Sequence, residues 1–454
     1  MREKRDQQLN LFHILSRNAI GEELEGISKL LEANQKILDI VYADLVGLRK
    51  TDTGRTGMTA EQVLRCGILK QYRELTYEEL SFHLADSKSF RAFARLSRGQ
   101  MPSPSTLQEN IKTLSEQTWE ALNNAIVGVA REQGVEKGRT IRMDSTAVET
   151  NIHYPTDSSL LEDGVRIITR LLIQGKRLSP TPAYRYADHR RVVKKRALAI
   201  LNDKKKGNFK KCYKDLLDIA SQVRGYALDA MEVLESFVSS EIMQILEAQA
   251  VAEELEKVVG ILDKVMDQTR RRVIEGEKVP AADKMVSFYE CHSDIIEKGE
   301  RETVFGHKLF VVGGSSGLIL DCVIKRGNPA DSSLFMPLVE RQEKLYGRPP
   351  RQTSADGGFA STDNLRDAKE MGVSDVSFAK RRGLSVLDMV KSSWVYKKLR
   401  NFRAGIEANI SVLKRAFGLT RCTWTGWDGF VKYVRSAIFA YNLLTLARLN
   451  KTTA

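Results

Sequence analysis

No CxxC pair, internal repeat, low-complexity segment or bilayer-length apolar run occurs in this sequence. The five cysteines (Cys66, Cys212, Cys291, Cys322 and Cys422) are widely separated. That spacing implies neither a zinc site nor a disulfide framework and fits a reducing compartment. The first residues, Met1-Arg2-Glu3-Lys4-Arg5, lack the apolar segment of a secretory signal, and no stretch is apolar enough to span a membrane. A cytoplasmic protein without membrane partners is expected.

Positive charge is in excess. Lys and Arg number 71 against 58 Asp and Glu, a formal net charge of +13. An excess of that size points to a polyanionic partner, most simply nucleic acid. At 454 residues the chain exceeds one compact core and should divide into two or three domains.

From Leu9 to about Val46 apolar residues recur at helical spacing, and residues 50–57 break the pattern as a loop. Thr59 with Gln62, Thr76 with Glu79 and Ser105 with Gln108 read as capping boxes, the last opening one long helix to about Glu132. An all-α N-terminal domain over 1–135, read as DNA-binding, follows. Within it, residues 77–84 and 88–96 form two helices around a tight turn, compatible with a helix-turn-helix whose second helix aligns Lys88, Arg91 and Arg95. The character changes at Arg139. Residues 140–144 alternate as a short strand ending at Asp144, and 147–157 read as a loop carrying Asn151, His153 and Tyr154. Helices then run from Ser159 to about Thr269. Their first half, Arg185 to Lys214, is strongly basic and includes Lys194, Lys195, Arg196, Lys205 and Lys206, which are read as contacts to a DNA backbone. A hairpin around Gly313-Gly314-Ser315-Ser316-Gly317 precedes helix, strand, helix, strand and a last charged helix. The order predicts a mixed sheet covered by helices, built from 136–155 and 303–450 and interrupted by a basic helical insertion over 156–302.

Three acids stand out. Asp144 and Asp356 end short strands, and both are followed by small residues. In the helix from Arg400 to Phe417, about 100° per residue gathers Arg403, Glu407 and Lys414 into one charged seam with Arg400 beside it. Ile406, Ile410, Leu413 and Phe417 form the apolar stripe that docks this helix. If the two strands are neighbours and the helix crosses them, three carboxylates converge. They would repel one another unless cations filled the cluster, and Mg²⁺ takes such hard oxygen ligands. Two ions about 4 Å apart activate a hydroxyl and stabilise the leaving oxygen of a phosphodiester. Arg403, Lys414 and Arg400 are then placed to hold substrate phosphates.

Asp144-Ser145-Thr146 with Glu149-Thr150-Asn151-Ile152-His153-Tyr154-Pro155, Gly306-His307-Lys308, Gly327-Asn328-Pro329-Ala330-Asp331-Ser332 and Ala355-Asp356-Gly357-Gly358-Phe359 occur in that order. Together they resemble the DDE transposases of bacterial insertion sequences, closest to the ISNCY group. Arg403, Glu407 and Lys414 are similar in spacing to the Y-R-E-K signature, with Arg400 where the tyrosine stands. The resemblance implies a ribonuclease-H-like catalytic core in which Asp144, Asp356 and Glu407 hold two Mg²⁺, or Mn²⁺ in their place. It further implies cleavage at the terminal inverted repeats of a mobile element, strand transfer into target DNA, a homodimer in a synaptic complex, and a nucleoid-associated location. The alternatives are a hydrolytic nuclease of the same fold and a catalytically silent DNA-binding derivative. Trp424 and Trp427 read as core or hinge packing, with base stacking as the alternative. His153 reads as structural or as a DNA contact, Asp321 as a strand-face residue and Asp331 as a helix cap.

Overall fold

The computed structural model describes residues 3–5, 18–47, 57–97, 99–202, 209–297, 303–380 and 382–453. Lys205 and Lys206 of the basic segment, and the helical pattern before residue 18, lie outside them. The chain divides into two compact units, Met1–Asn151 with Ile296–Ala454, and Ile152–Ile295.

Seven described helices precede the sheet: α1 (Ala19–Ala33), α2 (Gln35–Gly47), α3 (Ala60–Tyr72), α4 (Tyr77–Asp86), α5 (Lys88–Phe93), α6 (Pro104–Thr113) and α7 (Glu116–Glu132). Strand β1 (Thr140–Glu149) follows. The second unit holds α8 (Asp157–Gly175), α9 (Arg190–Asn202), α10 (Phe209–Glu235) and α11 (Ile242–Thr269). After the short strand β2 (Asp294–Ile296) come β3 (Val304–Gly313), β4 (Ile319–Lys325), α12 (Phe335–Tyr346), β5 (Gln352–Ala355), α13 (Thr362–Glu370) and β6 (Asp375–Phe378). Helices α14 (Val386–Met389), α15 (Ser393–Ala416) and α16 (Gly426–Thr453) complete the chain.

Local chemistry sets several of these boundaries. Thr59 with Gln62 and Thr76 with Glu79 make reciprocal capping boxes at α3 and α4. The long helix expected from Ser105 is instead two helices. Ser103 caps α6 with Pro104 in its first turn, and a break at Leu114 lets Ser115 cap α7. Arg95 does not continue the helix of Lys88 and Arg91. It lies beyond α5 with φ 57° and pairs with Glu32, so the expected basic row is broken.

The sheet is mixed, in the order β2-β3-β1-β5-β6, with β4 pairing β3 off that path. β1 runs antiparallel to β3 (Asp144 opposite Val311, Glu149 opposite Gly306) and parallel to β5 (Thr140 opposite Gln352, Met143 opposite Ala355). β5 and β6 are parallel, and β3 and β4 antiparallel. The backbone leaves the sheet after β1 and re-enters it alongside, since the Thr150 amide donates to the Phe305 carbonyl at 3.0 Å. An insertion of about 150 residues therefore interrupts the sheet without disturbing its pairing.

Where the sequence reading sets a boundary at 135, the core is continuous. Leu24, Trp119 and Ile126 of the early helices belong to one buried cluster with Phe310 and Val312 of β3 and Phe439 and Leu443 of α16. α16 closes that core. The Gln71 amide donates to Ser436 Oγ at 2.8 Å, and the Asn442 amide bonds both Asn123 and the Ile319 carbonyl at 2.7 Å. Buried amides paired in this way fix one arrangement of helices on the sheet.

In the second unit α8 begins at Asp157, with Thr156 as its cap, rather than at Ser159. Val165 and Ile168 of α8, Val193 of α9, Leu216 and Val223 of α10 and Leu255 and Leu262 of α11 make its core. Among the described residues no helix is long and apolar enough to cross a membrane.

Candidate active site

Asp144 does not end its strand. β1 continues five residues to Glu149, because the antiparallel pairing with β3 outlasts the parallel pairing with β5. What ends at Asp144 is only the β5-paired half: Met143 opposite Ala355 is the last pair, so Asp144 and Asp356 both follow it on adjacent parallel strands. The Asp144 carboxylate accepts from the Ser145 amide at 2.7 Å. Asp356 starts a tight turn over Gly357–Phe359 whose glycines admit close neighbours. A Cβ on Gly357 would stand 2.6 Å from Lys380, and one on Gly358 would stand 2.6 Å from Asp331.

α15 crosses this corner, held by side-chain-to-carbonyl bonds that run both ways between it and the sheet and hairpin. Ser354 Oγ donates to the Leu399 carbonyl at 2.9 Å, Arg142 Nη1 to the Phe402 carbonyl at 3.2 Å, and the α15 residue Asn409 to the Gly317 carbonyl at 3.0 Å. Arg142 stands two residues before Asp144 on β1, so the two share a face of the strand. Ile406, Leu413 and Phe417 are buried beneath the helix as the stripe predicts, whereas Ile410 is only half-buried.

One guanidinium reaches all three acids. Arg403 Nη2 lies 2.8 Å from Glu407 Oε1, and Nη1 lies 3.6 Å from Asp144 Oδ2 and 3.8 Å from Asp356 Oδ1. The Asp144 and Arg403 side chains are each 16% exposed, that of Asp356 45% and that of Glu407 57%. The corner is thus an open carboxylate cluster around the Arg403 guanidinium. Arg400 is exposed on the same helix. Lys414 is half-buried, and its pKa is lowered by burial, opposed by the nearby Glu149 carboxylate. Glu149 itself takes a forked pair from Arg421 at 2.9 and 2.7 Å.

Residues 261–443 match the family model described as the transposase DDE domain. Over that segment the chain is similar to a transposase DDE domain. The matched segment takes in Asp356, Arg403, Glu407 and Lys414, and begins after Asp144, which enters the cluster through the pairing of β1 with β5. Neither the curated proteins nor the solved structures compared with the chain contain a match.

Three supports of this corner escaped the sequence reading. Arg142 bonds α15 and stacks over the Phe402 ring at 4.9 Å. Gly405 gives it room, since a Cβ there would stand 1.7 Å from Arg142 Nη1. Asp331 is no helix cap. Its carboxylate accepts from Ser145 Oγ at 3.0 Å and pairs with Lys308 Nζ at 2.5 Å, tying β1, β3 and the loop before α12 together beside Asp144. The signal for this last tie was present, because Lys308 and Asp331 both lie in the ordered motifs. Asp321 is held by Arg341, with contacts at 2.5 and 2.8 Å.

The aromatic pair after α15 is packed. Trp424 is buried against Tyr433, and Trp427 stacks on Phe430 and meets His307 edge-on at 4.8 Å. In the second unit, His153 lies 3.6 Å from Asp163, and Arg196 pairs with Asp215 at 3.2 Å. Lys194, Lys195, Lys211 and Lys214 are exposed there.

Proposed function

We propose that this chain is an insertion-sequence transposase of the ISNCY-like group, in which Asp144, Asp356 and Glu407 on a ribonuclease-H-like core hold two Mg²⁺ ions, or Mn²⁺ in their place. The observation that carries the reading is the register of β1 on β5, with α15 laid across it, so that one guanidinium lies near all three carboxylates. The donor chemistry fits. All three acids offer hard oxygens, two of them open to solvent, as divalent ions bound with water and phosphate oxygens require. Among the described residues no group of three or more His, Cys, Asp or Glu side chains stands close enough together to hold a metal ion as it is, so the three acids would have to draw in around the ions. The positive charge at the cluster comes from Arg403.

When bound, the ions would supply Lewis acidity to the scissile phosphate and lower the pKa of the attacking water or hydroxyl. The chain does the positioning. The Ser145 amide fixes one oxygen of Asp144, and Arg142, Ser354 and Asn409 fix α15 so that Glu407 faces the two aspartates. Arg400, Arg403 and Lys414 hold backbone phosphates on either side of the scissile bond. Hydrolysis at the element end frees a 3′-hydroxyl, whose attack on a target phosphodiester joins the strands and releases the target's 3′ oxygen. The basic helices of the second unit, through Lys194, Lys195 and Arg196, add affinity for double-stranded DNA without reading its sequence. A homodimer would bring two element ends together in one synaptic complex.

The test uses the DNA flanking the gene as substrate. Asp144→Asn, Asp356→Asn and Glu407→Gln should each abolish Mg²⁺-dependent cleavage while leaving DNA binding in place. Cleavage by any of them at near wild-type rate refutes the triad.

A further inference from the structure

Within this protein, arginine meets carboxylate in two ways. Arg341 grips Asp321 through two donors at 2.5 and 2.8 Å, and Arg224 grips Asp263 at 2.6 and 3.1 Å. Those are the forked pairs that lock a side chain in place. Arg403 makes no such fork. Only its 2.8 Å contact with the exposed Glu407 has hydrogen-bond length, while Asp144 at 3.6 Å and Asp356 at 3.8 Å feel it as charge alone. Its Nε is buried without a hydrogen-bond partner among the described residues. The guanidinium is central to the cluster yet poorly bonded within it.

From this geometry we infer that Arg403 is an exchangeable counter-cation, which competes with divalent ions for the three acids and gives way when a DNA phosphate draws it off. This rests on the triad reading and adds how the site is regulated. A divalent ion entering among the acids must approach a fixed positive charge within about 4 Å of each, and at the partly exposed corner that repulsion is only partly screened. A phosphate offers the guanidinium the forked geometry it lacks here. Phosphate and metal then favour each other through one side chain: DNA tightens metal binding, and by thermodynamic reciprocity metal tightens DNA binding. A protein free of DNA is left with a partly neutralised, metal-poor site. The site is thereby loaded with metal when DNA is seated, without any moving domain.

The experiment titrates the full-length protein with Mn²⁺, read by electron paramagnetic resonance of the free ion, with and without a duplex carrying the flanking sequence. Wild type is compared with Arg403→Gln, Arg403→Met and Arg403→Lys, each checked by thermal melting. In the absence of DNA, Gln and Met should tighten Mn²⁺ binding about ten- to a hundredfold, the usual size of such a coupling. Lys, which keeps the charge, should stay near wild type. DNA should tighten Mn²⁺ binding to wild type and leave the Gln and Met variants nearly unchanged. Unchanged or weaker Mn²⁺ binding by folded Gln and Met variants overturns the competition. The underlying triad reading fails separately, if Asp144→Asn and Asp356→Asn bind Mn²⁺ as well as their parents in both the wild-type and Arg403→Gln backgrounds.

Discussion

Gly405→Ala probes how the catalytic helix is seated. Alanine in a helix interior ordinarily stabilises by about 1 kcal/mol over glycine. Here its Cβ would stand 1.7 Å from Arg142 Nη1 and 2.6 Å from Cζ, so something must shift. If the guanidinium retreats, it loses its bond to the Phe402 carbonyl and its place over the Phe402 ring. A hydrogen bond from a charged donor contributes roughly 1.5–3 kcal/mol and the ring contact about 0.5–1 kcal/mol. Burial already disfavours the Arg142 charge, which lowers its pKa, so no solvated alternative lies close by. Set against the helix gain, the net loss is about 1–3 kcal/mol. In a unit of this size that is a fall in Tm of roughly 2–6 °C. If α15 lifts instead, Arg403 and Glu407 move with it, and a displacement near 1 Å reduces turnover by about a hundredfold. The assays are thermal melting and cleavage of flanking DNA, in wild-type and Arg142→Ala backgrounds. In the second background the clash is gone, and Gly405→Ala should stabilise. A variant that melts higher than wild type and cleaves normally with Arg142 present would refute the interlock.

Asp331→Ala removes the partner of Lys308, whose side chain is only 8% exposed, and should cost about 3–5 kcal/mol by leaving a buried charge unpaired. Chemical denaturation measures it, and Asp331→Ala with Lys308→Met should recover most of the loss. Burial lowers the Lys70 ammonium to about 8, between the Tyr77 and Trp424 rings. The unfolded chain therefore binds more protons than the native one between about pH 8 and the ordinary lysine value of 10.5, and the stability contributed by this site should rise with pH across that window. Lys70→Met should flatten the rise in urea midpoints, and identical pH profiles for the two proteins would discount it. Neutralising Lys194, Lys195, Lys211 and Lys214 to Gln should weaken binding to all duplexes alike and lower the salt slope by about 0.9 for each phosphate that is no longer neutralised. An unchanged slope would place the DNA-binding surface elsewhere.

Much of the local structure was legible in the sequence because it is decided within a few residues. Capping boxes at Thr59 and Thr76, the span of α13, the hairpin around Gly313–Gly317 and the buried stripe of α15 all follow from side chains that meet their own backbone or repeat every turn. Of the two local errors, one was local in cause and the other came from a distant strand. A break at Leu114 divided one expected helix, and pairing to β3 carried β1 past Asp144.

Tertiary structure alone decided what stands beside what. Asp144 and Asp356 are more than 200 residues apart, and only the parallel register of β1 on β5 makes them neighbours. The early helices form no separate body, because α16, from the far end of the chain, shares its apolar and amide contacts with them and with the sheet. The position of Arg403 among three acids, and the notch at Gly405 that admits Arg142, arise where a helix meets a sheet edge. A sequence determines such residues singly, through charge and period. Their distances come from packing between distant segments, which no local propensity encodes.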